Sequence, residues 1–206
     1  MNYRPITDMW ILARPKVSYY GAYPNGFLER ARALLGVTPF DPVLHVCGGC
    51  AKLYPAKGRG FGFNDRTLDL DNDLAPDYHQ SADEPLPLLH LNTGTGAMGV
   101  EWDALIADPP YTLDDAEKYA PGREDFPSAN RILRNMLAVV RRGGRVGMLH
   151  YILPQPPKVG AKFVACVGVI VGFNNRMRCF SVFERTADRR DPPEAADAGS
   201  GKETQP

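Results

Sequence analysis

A chain of 206 residues is long enough for one domain with a substantial core and leaves little room for a second folding unit. Its formal net charge of zero at pH 7 argues against a protein that binds nucleic acid nonspecifically through its overall charge. No signal-peptide pattern occupies the N-terminal region, and the longest apolar run, residues 163–173, is too short to span a membrane, so we expect a soluble protein of the cytoplasm or of a virus particle.

The first predicted elements are a helix and a strand. Residues 25–36 place apolar side chains at helical spacing, with Asn25 as the N-cap and Gly36 as the terminating glycine. Residues 42–47 are short and apolar, and they end in two glycines, where the backbone must turn sharply or approach a ligand closely. We therefore take residues 42–47 as the first central strand.

Two further strands and a second helix follow. Residues 67–71 alternate apolar and acidic side chains, and residues 102–107 form a buried apolar run that ends at Asp108. Residues 131–142 carry an apolar stripe at helical spacing and stop at a pair of glycines, after which residues 145–153 predict another strand. This last segment is thus a helix, a turn and a strand.

The C-terminal part of the chain predicts an antiparallel hairpin. Residues 163–173 and 177–185 are β-branched and aromatic runs, and residues 174–176 between them favour a tight turn. Beyond residue 185 the sequence contains no Leu, Ile, Val, Phe, Tyr or Trp. Because such a segment cannot bury enough apolar surface, we expect residues 186–206 to be a disordered tail.

Alternating strands and helices predict an α/β fold with a mostly parallel sheet, helices on both faces and an antiparallel strand near the C-terminus. Ligands of such sheets bind beyond the carboxyl ends of the strands. Three features fall at these ends, namely the pair Gly48-Gly49, the acids Asp69 and Asp71, and the tetrapeptide that begins at Asp108. The sequence therefore predicts one functional edge.

The tetrapeptide Asp108-Pro109-Pro110-Tyr111 directly follows a buried strand, and it resembles the catalytic motif of the class I, Rossmann-like amino-methyltransferases. Prolines and aspartates are also common where a strand merely ends in a turn. The two other features at the same edge favour the catalytic interpretation. The resemblance implies a seven-stranded sheet, a single methyltransferase domain over residues 1–185, and S-adenosyl-L-methionine as the cofactor.

An exocyclic amine on an aromatic ring is a poor nucleophile because its lone pair is delocalised into the ring. Asp108 and the carbonyl of Pro109 can accept hydrogen bonds from such an amine, and the prolines keep that carbonyl out of sheet pairing. Tyr111 offers a ring for stacking on a base that has left its duplex. Catalysis then depends on orientation and on electrostatic support of the charge that develops on nitrogen, with no metal.

The resemblance also implies which residues contact the cofactor. These residues are Tyr20, Gly21, Ala22, Tyr23, Cys47, Gly48, Gly49, Asp69, Leu70, Ser81, Ala82 and Asp108. The turn at the two glycines would approach the methionine portion, and Ser81 and Ala82 would border the adenine. Asp69 would accept hydrogen bonds from the ribose, with Asp71 as the second candidate.

The region after the first strand departs from the family's usual pattern. A third spaced glycine is missing, and residues 51–64, with a proline and several glycines, are a poor stretch for the long helix that normally follows. Cys47 and Cys50 form a lone C-x-x-C pair, which leaves a redox site or half of a zinc site as an alternative. Cys166 and Cys179 lie in predicted strands, so we expect neither a disulfide scaffold nor a bound metal.

The identity of the substrate follows from the resemblance. Asp108 with Tyr111 favours adenine N6 in DNA, and the lack of room for a target-recognition domain predicts low sequence specificity. RNA adenine N6 and RNA guanine N2 are alternatives, as is a catalytically silent partner subunit that binds the cofactor or nucleic acid. A homodimer is a way to supply the missing recognition surface. Residues 112–128 are either a mobile loop that closes over the base or a plain surface connection.

Charges are unevenly distributed along the chain. Lys and Arg number eight against three Asp and Glu in residues 1–64, three against fifteen in residues 65–128, and ten against one in residues 131–185. Basic elements that share a face would contact phosphates despite overall neutrality. An ordinary solvated surface explains the same pattern. The expected partner is nucleic acid, DNA ahead of RNA, and no membrane.

Overall fold

The computed structural model describes residues 4–15, 22–54, 60–93, 96–119, 128–172 and 176–186. Its strands are β1 (Ile6–Leu12), β2 (Val43–Val46), β3 (Arg66–Asp69), β4 (Tyr78–His79), β5 (Leu89–Thr93), β6 (Gly96–Val100), β7 (Trp102–Ala107), β8 (Val140–His150), β9 (Ala161–Val171) and β10 (Met177–Arg185). Its α-helices are α1 (Phe27–Leu35), α2 (Leu113–Tyr119) and α3 (Ala129–Val139).

Eight strands form the main sheet, in the order β1-β9-β10-β8-β7-β2-β3-β4. Five neighbouring strands of this sheet, β4, β3, β2, β7 and β8, are mutually parallel, and they follow the order 3-2-1-4-5 of a Rossmann sheet. β10 lies antiparallel between β8 and β9. The mostly parallel, Rossmann-like α/β fold with an antiparallel C-terminal hairpin is therefore confirmed. The sheet has one strand more than the seven expected, because β1 pairs in parallel with β9 at the edge.

Helices cover both faces of the sheet, as predicted. Apolar residues such as Leu44 and Val146 point to one face, where they pack with α3. The residues that alternate with them, such as Val43 and Leu149, point to the other face, where they pack with α1. Burial on both faces explains why the central strands are almost continuously apolar in sequence.

The first helix begins and ends close to its predicted limits, but its predicted N-cap was wrong. Gly36 adopts a φ of 73°, and its N–H donates to the carbonyl of Ala33, as expected for a glycine that ends a helix. The cap position at the other end is Gly26, and no side chain caps the helix there. Asn25 instead donates from Nδ2 to the carbonyl of Arg14 at 2.9 Å. Asn25 therefore ties the segment after β1 to the start of α1.

The glycines that were expected to end the second long helix lie inside a strand. α3 ends at Val139, and β8 begins at the next residue and bulges where it pairs with β7. Gly143 lies in this bulge with a φ of 73°, which favours glycine. β8 ends at His150, before the predicted limit of the strand.

Several predicted connections have structure of their own. Residues 51–53 form one 3-10 turn. β5 and β6 form a separate antiparallel hairpin where only ordinary elements of the main sheet were expected. α2 occupies the first part of the predicted loop 112–128.

Some predicted segments lie outside the described residues, namely residues 120–127, the turn residues Asn174 and Asn175, and the tail from 187 onward. In the part of the chain that is described, no helix has the length and apolar character needed to cross a bilayer.

Gly147 in β8 makes room for an aromatic cluster that packs α1 against strands β1 and β10. The ring of Phe180 lies 5.0 Å from that of Phe27 and 6.1 Å from that of Trp10. A Cβ atom at Gly147 would lie 2.4 Å from Cζ of Phe180. We therefore expect Gly147→Ala to displace the ring and to lower the free energy of unfolding in urea by about 1–3 kcal/mol.

The matched control for this substitution is Gly168→Ala in β9. A Cβ atom at Gly168 would meet first the flexible end of Met177, with Sδ at 3.2 Å. We expect a change within about 0.5 kcal/mol for this variant. Equal losses in the two variants would mean that the ring of Phe180 does not depend on the space at Gly147.

Candidate functional site

The ends of β2 and β7 lie side by side at the carboxyl edge of the sheet, where the strand order reverses. Val46 pairs with Ala107, and the N–H of Asp108 donates to the carbonyl of Val46 at 3.3 Å. The N–H of Gly48 donates to the carbonyl of Leu68 at 3.2 Å, which joins the end of β2 to β3. The three predicted features therefore meet at one edge, at the position where doubly wound sheets bind ligands.

The turn after β2 packs closely against the strand ends. Cys47 adopts a φ of 52°, a left-handed conformation that costs a non-glycine residue roughly 1–2 kcal/mol. A Cβ atom at Gly48 would lie 2.9 Å from the carbonyl oxygen of His45 and 3.2 Å from Cγ2 of Thr67. Position 48 therefore requires glycine, because atoms of His45 and Thr67 occupy the space that a side chain would need.

Asp69 anchors this turn. Its Oδ2 accepts the N–H of Gly49 at 2.8 Å, and its Oδ1 accepts the N–H of Asp71 at 3.0 Å. Burial raises the pKa of Asp69 in spite of these hydrogen bonds. The residue predicted to bind ribose thus also fixes the glycine turn, and each carboxylate oxygen keeps a second lone pair for a ligand. The neighbouring Leu70 is exposed, and its carbonyl lies 2.9 Å from Nε2 of His79.

The predicted adenine-bordering residues lie directly after β4. The Oγ of Ser81 accepts the N–H of Asp83 at 3.3 Å. The carbonyl of Ala82, a buried residue, accepts from Nδ2 of Asn135 at 2.9 Å. This loop is therefore held against α3, and it flanks the β3 side of the edge.

Of the predicted N-terminal cofactor segment, Tyr23 faces the edge. Its hydroxyl is buried and has no hydrogen-bond partner among the described residues. Burial raises the pKa of Tyr23, and the charge of Asp108 raises it further. The Tyr54 hydroxyl donates to the carbonyl of Tyr23 and braces it. Ala22 is buried beside it, and the remaining two residues of the segment lie outside the described residues: Tyr20 and Gly21.

Two hydrogen bonds connect the tetrapeptide to a cation. The hydroxyl of Tyr111 donates to Oδ1 of Asp108. Nη1 of Arg178, in β10, donates to the same hydroxyl at 3.2 Å. Pro109 is buried and Pro110 half-buried. The carboxylate is thus linked to an arginine whose position 67 residues from Tyr111 was not foreseen from the sequence.

The side chain of Asp108 is half-buried, with most of its surface covered by protein atoms. Burial raises its pKa to about 6, against the charge of Arg178 and the hydrogen bond from Tyr111, which lower it. The pKa of Tyr111 is raised well above its ordinary value by burial and by the charge of Asp108, so the phenol keeps its proton. A carboxylate with a pKa near neutrality can accept an amine N–H and exchange a proton with it.

The end of β8 adds two rings beside Tyr111. His150 is buried, with its ring 5.1 Å from that of Tyr111, and the ring of Tyr151 lies 4.4 Å from Tyr111 and is 39% exposed. Nδ1 of His150 accepts the N–H of Ile152 at 3.0 Å, so the proton of the neutral ring is on Nε2. Burial lowers the pKa of His150 to about 4, which keeps it neutral at pH 7. Tyr151 is the accessible ring of the pair.

A buried charged cluster behind the edge joins α1 to β2 and to the segment before β3. Asp65 pairs with Arg32, and its Oδ2 lies 2.8 Å from Nε2 of His45 and accepts the N–H of Gly62 at 2.7 Å. Burial would raise the pKa of Asp65, but His45 and Arg32 outweigh it and the pKa is lowered. A sequence signal existed for this cluster, because Arg32 occupies the apolar stripe of α1.

The cysteines lie in two separate pairs and all are free thiols. Cys50 of the C-x-x-C pair is buried, and burial raises its pKa. The sulfurs of Cys166 and Cys179, on β9 and β10, lie 3.0 Å apart, and burial together with Cys166 raises the pKa of Cys179 to about 12. Within the described ranges, no three His, Cys, Asp or Glu side chains are grouped to hold a metal.

No protein-family model matches the chain, and no curated protein matches it. Similar solved structures include TrmN from Thermus thermophilus, with 18% identity over 77% of this chain and 48% of that one and a TM-score of 0.45. A second is the N-methyltransferase NodS from Bradyrhizobium japonicum WM9, with 10% identity over 79% of this chain and 99% of that one and a TM-score of 0.46. A third is a methyltransferase from Pyrococcus furiosus, with 14% identity over 82% of this chain and 92% of that one and a TM-score of 0.40. The chain thus spans about half the length of TrmN. The fold assignment rests on the strand order itself.

Proposed function

We propose that this chain is an S-adenosylmethionine-dependent methyltransferase that modifies an exocyclic amine of a nucleic-acid base. The first-choice target is adenine N6 in DNA, and RNA adenine N6 or guanine N2 is the second. The observation that carries the proposal is the position of Asp108, a surrounded carboxylate directly after a central strand at the reversal of a Rossmann sheet. Its N–H is bonded to the strand that leads into the glycine turn.

The residues around the turn fit S-adenosyl-L-methionine. The glycine turn packs tightly on the strand ends, which fixes its backbone at the edge, and the hydroxyl of Tyr23 is a buried donor without a partner among the described residues. When bound, the cofactor supplies a methyl group activated by its sulfonium charge. Cys47, Gly48 and Gly49 would hold its methionine portion, and Asp69 would accept hydrogen bonds from its ribose.

Asp108 is the residue that handles the amine in this proposal. Its carboxylate accepts one N–H, and the carbonyl of Pro109 accepts the other, so the nitrogen lone pair is drawn out of the ring and held in line for transfer. After the new carbon–nitrogen bond forms, the nitrogen carries a surplus proton. The Asp108 carboxylate, with a pKa of about 6, is suited to take up that proton and return it to solvent.

A flipped base needs aromatic contacts to offset the stacking it loses on leaving the duplex. Tyr151 is the exposed ring beside the tetrapeptide, and Tyr111 lies against it at 4.4 Å. The hydroxyl of Tyr111 is hydrogen-bonded to Asp108. Tyr151 would therefore share the stacking of the base with the ring of Tyr111. Both rings lie at the edge where the amine must reach Asp108.

The proposal is tested by transfer of a radiolabelled methyl group from S-adenosylmethionine to unmodified DNA, to RNA and to a protein lysate. We expect label in DNA, recovered as N6-methyladenine after digestion. The control variant Asp108→Ala should reduce transfer roughly 100- to 1000-fold. Tight cofactor binding without transfer to any of the three would contradict the enzyme and support the silent-partner alternative.

A further inference from the structure

The start of β10 is brought to the functional edge by the order of the sheet. β10 runs antiparallel to the central strands, so its first residues lie at their carboxyl ends. Cys179 pairs with His150, the last residue of β8, and Arg178 therefore lies one residue farther out, beside the tetrapeptide. This placement depends on the insertion of β10 between β8 and β9.

We propose that Arg178 is a positioning residue of the methyl-transfer site, which holds the Tyr111 hydroxyl against Asp108 and balances the charge of that carboxylate. The inference deepens the function proposed above and rests on it. Arg178 acts through Tyr111 and through its charge, and no contact with the substrate is required of it.

The two hydrogen bonds run from Arg178 to the Tyr111 hydroxyl and from that hydroxyl to Asp108. A guanidinium has donors only, so Nη1 of Arg178 must donate to the oxygen of Tyr111, at 3.2 Å. The single proton of that phenol is then free to point at Oδ1 of Asp108. Arg178 thereby selects the rotamer of the hydroxyl in which Tyr111 is a donor to the carboxylate.

The charge balance at Asp108 also depends on Arg178. The described groups that face Asp108 or Tyr111 from the other packed elements are the phenols of Tyr23, Tyr54 and Tyr151 and the ring of His150. The pKa values of buried Tyr23 and half-buried Tyr54 are raised, and that of His150 is lowered to about 4, so Tyr23, Tyr54 and His150 are neutral at pH 7. Arg178 is the cation whose charge lowers the pKa of Asp108 against burial.

Arg178 is itself held in the charged form. Burial lowers its pKa, but Asp108 and Tyr111 outweigh burial and the pKa is raised. Arg178 is half-buried and lies at the start of β10, next to the exposed Met177, so its side chain is not enclosed in the core. Removal of the guanidinium should therefore change the electrostatics at Asp108 without opening a large cavity.

The test is the titration of the Asp108 side chain itself, followed by carboxyl carbon NMR of protein labelled at aspartate and assigned with Asp108→Asn. In Arg178→Gln we expect the midpoint to rise by about one pH unit or more, because an opposite charge nearby lowers a carboxyl pKa by that amount. The acidic limb of the pH profile of methyl transfer should rise equally. Arg178→Lys should restore part of the shift.

The control is Arg141→Gln, which removes a positive charge near the start of β8, where Arg141 pairs with Asp103, and should leave the midpoint in place. If Arg178→Gln does not fold, Arg178→Met is used in its place. An unchanged midpoint in the folded variant would overturn the inference even if the wild type transfers methyl groups. A raised midpoint in a protein that transfers none would sustain the role of Arg178 at Asp108 and refute the proposed function, so the two failures are distinguishable.

Discussion

Asp108→Asn is expected to slow methyl transfer strongly while making the protein more stable at alkaline pH. The amide has the size of the carboxylate, and its oxygen can still accept the hydrogen bond from Tyr111. It lacks the negative charge that would support the amine nitrogen, and it cannot take up the released proton. We expect kcat to fall roughly 100- to 1000-fold, measured with saturating cofactor.

The gain in stability follows from the pKa of Asp108, which rises from an ordinary 3.8 to about 6 on folding. Above pH 6 the folded chain holds a charge that burial disfavours, and the attraction of Arg178 is already included in that value. Two pKa units correspond to about 3 kcal/mol, so the amide should raise the free energy of unfolding at pH 8 by at most ~3 kcal/mol. The gain should shrink as the pH falls through 6 and vanish below about pH 4, where Asp108 is protonated in both states.

Urea unfolding of wild type and variant at pH 8, pH 6 and pH 4 measures this difference. Asp103→Asn is the matched control, because Asp103 pairs with Arg141 near the surface, where the Arg141 side chain is 51% exposed. The control should change stability by less than about 1 kcal/mol at each pH. A loss of stability in Asp108→Asn at pH 8 would show that the charge of Asp108 is not disfavoured in the folded chain.

Asp65→Ala is expected to destabilise the fold by about 3–5 kcal/mol, because it leaves a buried guanidinium without its counterion. Asp65 is fully buried, and the side chain of Arg32 is 4% exposed. The variant also removes the acceptor for the N–H of Gly62 and the partner of His45. Because the cluster joins α1 to β2, we expect the whole domain to unfold at a much lower temperature than the wild type, measured by thermal denaturation.

The dependence on pH separates this effect from a simple cavity. The pKa of Asp65 is lowered on folding, so its contribution is complete above the ordinary value of 3.8 and is lost as the pH falls through the lower folded value. The difference between wild type and variant should therefore narrow below about pH 4. Asp103→Ala, at the exposed pair with Arg141, is the control and should cost less than about 1 kcal/mol. A narrowing equal in both variants would argue against the buried cluster as the cause.

The strands near the site were predictable because their burial is complete. The run from Trp102 to Ala107 was predicted with its observed limits, and β2 and the β9–β10 hairpin were predicted within two residues. A strand buried on both faces has a continuous apolar pattern, and its end is marked by glycine or proline. Those ends also gave the positions of the glycine turn and the tetrapeptide.

The incorrect predictions fall where one local pattern fits two structures. A glycine pair after a helical stripe suggests a helix end, but pairing with β7 drew Gly143 into a strand bulge. Asn is a residue type that commonly caps helices, but the side chain of Asn25 donates to the carbonyl of Arg14 instead. That carbonyl lies within reach because β1 joins the sheet. Tertiary partners decided both cases.

The sequence by itself determined which segments form the central strands, the place where each of them ends, and the tetrapeptide Asp108-Pro109-Pro110-Tyr111, because burial, backbone turns and proline act through neighbouring residues. The tertiary structure alone decided which distant charges meet. Arg178 reaches Tyr111 through the pairing of β10 with β8, and Asp65 meets Arg32 and His45 through the packing of α1 on β2. Such pairs depend on sheet order and register, and no local pattern in the chain records either.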